Sequence, residues 1–369
     1  MDIAIQLAKS FDVDLYMILS SNNNIPFFEE QNIRILPFPR SQAQKMEFWA
    51  RLFSGGKKYK AVIGTPLEGA WLSYQVSKIQ GIPFYYFADE LFKNLTAHKT
   101  QQQKKVLVKR MKNIQRNAAA TIIPSIIYTG PDMSLDERLN IDPYYLAVKS
   151  EREEFLETKQ DTGHSFIVLP NAPSYTAKKQ RSHFYRDIFN IDDDKPILFY
   201  AGTLDWALSR KIFEETKSYQ DKPYHLIFQA RTLGLMGDTP HPFIKISTVP
   251  IPSSMMNYAV SSVDIGLALY DKNRPKEAEN GFSSGKIGTY LKNEIPMIAG
   301  SLPEFKAFET HGVATFWDGE EAFDNIALRS ISELEANRRK VPAFYEKYLQ
   351  YEVFFEKLYT NIITATRTH

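Results

Sequence analysis

The chain has 369 residues, enough for two domains, and its 43% hydrophobic and 24% charged residues are ordinary for a soluble globular protein. Its 45 basic and 43 acidic side chains leave a formal net charge of +2, which argues against a dedicated nucleic-acid binder. The absence of cysteine excludes disulfides, thiolate catalysis and cysteine–zinc sites, and no stretch reaches the ~20 apolar residues of a membrane span.

The opening MDIAIQLAKSFDVDLYM carries Asp2 and no signal-peptide pattern, so a cytoplasmic location is expected. Ile5, Ala8 and Phe11 form the apolar face of a helix at the very start. The strand and tight turn that normally open a doubly wound domain are missing from the pattern. Either the start is truncated or the sheet order is unusual. Six apolar, β-branched runs follow: DVDLYMIL, NIRILPF, KAVIGTP, IPFYYFAD, ATIIPS and SFIVLPN. Helical spacing lies between them in EGAWLSYQVSKIQ and in the run from Gln101 to Asn117. The alternation predicts a parallel α/β sheet. The basic residues Lys99, Lys104, Lys105, Lys109, Arg110, Lys112 and Arg116 read either as a solvated helix face or as a peripheral contact with an anionic membrane surface.

The pattern breaks after Pro170, where NAPSYTAKKQRSHFYRDIFNIDDDK reads as polar and irregular. We place a linker at 173–189 between an acceptor-side domain at 1–172 and a second domain at 190–335. There the alternation restarts with PILFYAGTL, YHLIFQA, FIKISTV, VDIGLALY, IPMIAG and VATFWD as six strands. A helical segment at 336–369 closes the chain. In FYEKYLQYEVFFEKLYTNII, Phe344, Tyr348, Tyr351, Phe355 and Ile362 share one helical face, to be buried on the protein body or laid on a membrane.

Ligands of open α/β sheets bind outside the carboxyl ends of the strands. Residues at those ends are therefore the candidates. In the first domain they are Thr65, Asp89 and Glu90. In the second they are Gly202 and Thr203, Arg231, and Tyr270. Gly202 suits close approach of a ligand or simply a tight turn. Arg231 suits a diphosphate or is a surface cation. The loop Gly281, Phe282, Ser283, Ser284 and Gly285 runs into a helix that begins near Lys286. Free amides at a helix N-terminus, serine hydroxyls and an ammonium together suit a phosphate, while a serine N-cap alone is the plainer reading. Glu277 and Glu279 suit sugar hydroxyls or belong to a charged surface loop. The chain has no Walker loop, no paired-histidine metal motif among its seven histidines and no G-x-S-x-G elbow.

In order, PILFYAGTLDW, HLIFQA, FIKISTVPIPSSMMNYAVSSVDIGLALY and FSSGKIGTYLKNEIPMIAG resemble the nucleotide domain of GT-B glycosyltransferases, most closely the family 4-like enzymes. The family's helix pattern Pro-x-Lys-x-x-Glu-Tyr-x-Ala-x-Gly-x-Pro is followed at Lys286, Tyr290 and Pro296, and FIVLPNAPSY resembles its crossover. The resemblance implies two facing Rossmann-like domains with a C-terminal helix crossing back to the first. It implies a nucleoside-diphosphate sugar as donor, a glycan or lipid-linked acceptor, and no cofactor or metal. Lys286 and Arg231 would neutralise the diphosphate, and Gly202, Thr203, Tyr270, Glu277, the 281–285 loop and Thr289 would line the donor site. Thr65, Asp89 and Glu90 would face the acceptor. The family's paired glutamates fall at Gly281 and Thr289, and neither is Glu; Glu279 is the nearest substitute for the first. The family's following glycine is Glu294 here. Three readings follow: an active transferase, a non-catalytic binding or scaffold subunit of the same fold, and a sugar-nucleotide epimerase, for which no acid–histidine set can be assigned.

Overall fold

A computed structural model of the chain describes residues 2–17, 32–39, 41–54, 58–88, 99–123, 166–173, 181–204, 207–216, 221–230, 243–271, 273, 284–302 and 305–367. The described residues form two compact units. The first draws on residues within 1–123, 157–169 and 352–369, and the second on residues within 170–351.

In the first unit, α1 (Asp2–Ala8) precedes β1 (Val13–Met17) and β2 (Ile33–Pro37). Then come α2 (Gln42–Ser54), β3 (Val62–Gly64), α3 (Leu67–Gln80), β4 (Phe84–Phe87), α4 (Gln101–Asn117), β5 (Ala120–Ile123) and β6 (Phe166–Val168). All six expected strands are present. β1 pairs with β2, and β3-β4-β5-β6 form a separate ladder, every pairing parallel. The buried run Phe84, Tyr85 and Tyr86 is what a strand covered on both faces requires. Helix ends follow local chemistry. Thr100 and Gln103 make a reciprocal capping box at the start of α4, and Gly81 ends α3 in the left-handed region at φ 66°. Phe48 and Leu52 of α2 pack on Val76 of α3, joined by Tyr16, Tyr59 and Val62. At the chain start, Ala4 and Ala8 are buried, Ile5 is half-buried, and Phe11 lies beyond the helix against Tyr359, ring centroids 5.9 Å apart.

The second unit begins earlier than its strands. The segment read as irregular linker contains α5 (Phe184–Phe189), whose Tyr185 is buried against Phe199 at 5.0 Å between ring centroids. Arg181 ties the same segment to Asp264 at 2.6 Å. Charged neighbours hide the aromatic trio Phe184, Tyr185 and Phe189 in the sequence pattern. The unit continues with β7 (Ile197–Ala201), α6 (Ala207–Thr216), β8 (His225–Gln229), β9 (Ile244–Ser247), α7 (Ser253–Val260) and β10 (Ile265–Ala268). It closes with α8 (Gly285–Lys292), β11 (Met297–Gly300), α9 (Lys306–Thr310), β12 (Ala314–Trp317), α10 (Phe323–Ser332), α11 (Leu334–Arg338) and α12 (Val341–Tyr348). The expected six strands form one parallel sheet in the order β12-β11-β10-β7-β8-β9. That is the doubly wound order, reversing between β7 and β10. In the first unit β2-β1 and β3-β4-β5 match the flanks of this order, and no described strand takes the place of β7.

The aromatic C-terminal segment is two helices, not one. α12 ends at Tyr348, Leu349 adopts φ −133°, and α13 (Tyr351–Arg367) starts anew. The spacing of buried residues runs straight across this break, so periodicity could not reveal it. Phe344, Tyr348, Tyr351, Phe355 and Ile362 are all buried, which meets the expectation of packing on the protein body. α13 belongs to the first unit: Tyr359 meets Phe11, and the Tyr85 hydroxyl donates to Asn361 Oδ1 at 3.0 Å. This is the anticipated return of the C-terminal helix. Among the described residues no helix is long and apolar enough to cross a membrane.

Candidate active site

Because the second sheet is wholly parallel, the carboxyl ends of its strands share one edge. Gly202 stands at that edge just past β7 with φ 151°, a conformation that L side chains seldom adopt. A Cβ there would lie 3.1 Å from both the Lys286 Nζ and the Tyr200 hydroxyl oxygen. A glycine thus lets the lysine ammonium reach the turn. The Tyr200 hydroxyl donates to the Thr203 carbonyl at 2.9 Å, which fixes that turn from below.

Lys286 opens α8. Its Nζ lies 4.5 Å from the Tyr200 ring centroid and 5.1 Å from that of Tyr270, within range of favourable cation–π attraction to both. The two rings bracket a half-buried ammonium at the edge where β7 and β10 part. Tyr270 is itself buried, and its hydroxyl and Ser284 Oγ are 2.5 Å apart. Ser284 occupies the N-cap position of α8 without a side-chain cap bond. Its hydroxyl serves Tyr270 instead. No described group accepts from the Gly285 amide, the first of the helix.

α8 is seated closely. Gly288 leaves no room for a side chain, since a Cβ would come within 2.7 Å of the Ala172 Cα. Asn171 Oδ1 lies 3.4 Å from where a Gly285 Cβ would stand, beside the helix start. The Tyr290 hydroxyl accepts from the Ala201 amide and donates to the Phe199 carbonyl, each at 3.3 Å, which locks α8 to the end of β7. Burial raises the Tyr290 pKa well above the ordinary phenol value, so this contact stays protonated. Thr289 Oγ1 donates back to the Gly285 carbonyl at 2.8 Å, turning its hydroxyl along its own helix. Glu294, where the resembling family has glycine, adopts φ 61°.

Of the residues singled out in the sequence, Gly202, Thr203, Tyr270, Ser284, Gly285, Lys286 and Thr289 belong to this corner of the second unit. Thr65 is exposed at the end of β3 in the first unit. Arg231, Glu277, Glu279, Gly281, Phe282, Ser283, Asp89 and Glu90 lie outside the described residues. Sequence reasoning passed over Tyr200 and Asn171, and matched Tyr290 to the family's helix pattern without giving it a role at the site. Tyr200 was legible as the last ring of β7, two residues before Gly202. The approach of Asn171 to α8 had no local signal. Among the described residues there is no group of three or more His, Asp or Glu side chains placed to hold a metal ion.

No protein-family profile matches this chain, and no curated protein matches it in sequence. Solved structures do resemble it. Sucrose-phosphate synthase from Thermosynechococcus elongatus matches with a TM-score of 0.62 at 12% identity, covering 98% of this chain and 92% of that one. HepE of Anabaena in complex with UDP and glucose matches with a TM-score of 0.65 at 10% identity, covering 98% and 94%. UGT89C1 of Arabidopsis thaliana complexed with UDP-L-rhamnose matches with a TM-score of 0.51 at 11% identity, again covering 98% and 94%. At such identities the likeness is one of fold. The chain has the GT-B fold: two Rossmann-like α/β units with the C-terminal helix returned to the first.

Proposed function

We propose that the chain is a nucleotide-sugar-dependent glycosyltransferase of the family 4-like kind. It transfers a sugar, of hexose type, from a nucleoside-diphosphate donor to a glycan or lipid-linked acceptor. Bacterial polysaccharide or glycoconjugate synthesis, in the cytoplasm at the inner face of the membrane, is the setting we assign. The observation that carries this reading is the Lys286 ammonium, held between two tyrosine rings within reach of Gly202 at the ligand edge of the second unit. The bond between the anomeric carbon and the diphosphate oxygen breaks, and the leaving diphosphate gains negative charge. Lys286, Arg231 and the N-terminus of α8 stabilise that charge in place, which is a large catalytic effect in a site poor in water. The acceptor hydroxyl forms the new glycosidic bond and loses its proton to a base, a role we assign to Glu279. Chain cations thus supply the charge that a metal otherwise would. HepE is complexed with UDP and UGT89C1 with a UDP-sugar, so uridine donors are the first to try.

One observation favours a second reading, a binding or scaffold subunit without turnover. The position of a family glutamate is Thr289, whose hydroxyl is engaged within its own helix. A panel of UDP-, GDP-, ADP- and dTDP-sugars, assayed for binding and for slow hydrolysis, separates the two. Binding and hydrolysis that both fall in Lys286→Ala are the expected result for the enzyme. Tight binding with no hydrolysis of any donor favours the scaffold. Failure to bind any donor overturns the enzyme reading.

A further inference from the structure

α4 is unlike the other helices in charge. Lys104, Lys105, Lys109, Arg110, Lys112 and Arg116 lie on its 17 residues with no acidic side chain among them. At 100° per residue, Lys105, Lys109, Lys112 and Arg116 fall within an arc of about 60°, in a line about 16 Å long. Met111 and Ile114, buried at 2% and 0% exposure, lie on the opposite side. The four cations are exposed, and among the described residues none of them has an ion pair or hydrogen bond. Elsewhere arginines find partners, as Arg34 does in Asp14 and Arg181 in Asp264. Like charges at neighbouring helical positions weaken a helix, so an uncompensated line of them is kept at a cost to folding.

The surroundings narrow the partner. α2, α3 and α4 form one layer: Phe48 and Leu52 of α2 pack on Val76 of α3, and Arg110 of α4 stacks over Trp71 of α3 at 5.5 Å. Its outer surface also exposes Met46 (68%) and Phe53 (64%) on α2 and Val106 (50%) on α4. α2 and α3 together carry Lys45, Arg51 and Lys78 against Glu47 and Glu68, a near balance, so the positive charge of the layer is concentrated on α4 and not compensated by its neighbours. Cations beside exposed apolar side chains fit a bilayer interface, where headgroup phosphates meet the charges and acyl chains the apolar groups. A nucleic acid would meet only the charges and leave the apolar groups without a partner.

We propose that the basic face of α4, with the exposed apolar residues of its layer, docks the protein on an anionic phospholipid surface. Each basic residue held at such a surface strengthens partitioning by about fivefold, so the four together are worth on the order of a hundredfold or more. The test is co-sedimentation of the full chain with vesicles of phosphatidylcholine alone and with about 30% phosphatidylglycerol, at low and raised salt. The expected result is partitioning to the anionic vesicles only, weakened by salt. It falls on the order of a hundredfold in the variant that combines K105Q, K109Q, K112Q and R116Q. A second variant combining K105R, K109R and K112R keeps the charge and is expected to keep the binding, which separates charge from folding. Equal partitioning to neutral vesicles, or a neutralised variant that partitions unchanged, would overturn the proposal.

Discussion

Gly202→Ala probes the corner where turn, lysine and tyrosine meet. At φ 151° an alanine is strained by about 1–3 kcal/mol, and its Cβ would press on the Lys286 Nζ and on the Tyr200 hydroxyl, each at 3.1 Å. The Tyr200 hydroxyl is held by the Thr203 carbonyl, so the flexible end of Lys286 is the group that yields. Unfolding of the second unit is expected to cost about 1–3 kcal/mol less, which lowers its melting temperature by roughly 2–10 °C. Binding suffers separately. A displaced ammonium forfeits a charged hydrogen bond worth about 1.5–3 kcal/mol, or roughly 10- to 150-fold in nucleoside-diphosphate affinity. Calorimetric titration with UDP into wild type, Gly202→Ala, Lys286→Met and the double variant reads the coupling. In the Lys286→Met background the alanine is expected to change affinity little. An equal loss in both backgrounds, or no loss in either, refutes the idea that Gly202 acts by admitting the lysine.

Three further outcomes follow from the geometry. Glu294 pays for a left-handed backbone, so Glu294→Gly is expected to stabilise the fold by up to about 1 kcal/mol, read by calorimetric melting; a net loss contradicts it. The Tyr85 phenol, whose pKa burial pushes up to about 12, holds Asn361 of α13. Tyr85→Phe should cost about 0.5–1.5 kcal/mol and speed amide exchange in α13, and unchanged exchange contradicts that. His311, against Phe344 and Tyr348, has its pKa lowered below the ordinary 6.5 by burial and then by Lys347. The unfolded chain therefore takes up this proton first as pH falls, and stability drops as pH descends through 6.5 toward the folded value. Melting temperature should decline between about pH 7.5 and about pH 5.5, with a shallower slope in His311→Gln; identical slopes assign the decline to other groups.

The strands were the most legible part of the chain. Parallel strands covered on both faces concentrate β-branched and aromatic residues into short runs such as ILFYA and FYYF, and those runs stand out without any tertiary knowledge. α3 and α4 were equally plain because Gly81 stops one and Thr100 caps the other. What escaped was set by packing. α5 hides three aromatic residues among charges, and the α12–α13 break at Leu349 carries no Gly or Pro. At the site, the Gly-Phe-Ser-Ser-Gly-Lys run pointed to Lys286, and the end of a strand pointed to Gly202. Nothing local says that Tyr200 and Tyr270 bracket the ammonium, because one lies in β7 and the other just past β10, strands brought together only by the reversal of sheet order between them. The serine hydroxyl expected to serve a phosphate is instead paired with Tyr270, a partner 14 residues away that no short motif encodes.

The central claim is that a nucleoside diphosphate sits at the corner formed by Gly202, Lys286 and the start of α8. A crystal structure of the full chain with UDP tests it most directly. Diphosphate oxygens are expected within ~3 Å of the Lys286 Nζ and of the Gly285 amide. A well-ordered diphosphate bound elsewhere on the second unit, with Lys286 still between its two tyrosines and touching no phosphate, would contradict it.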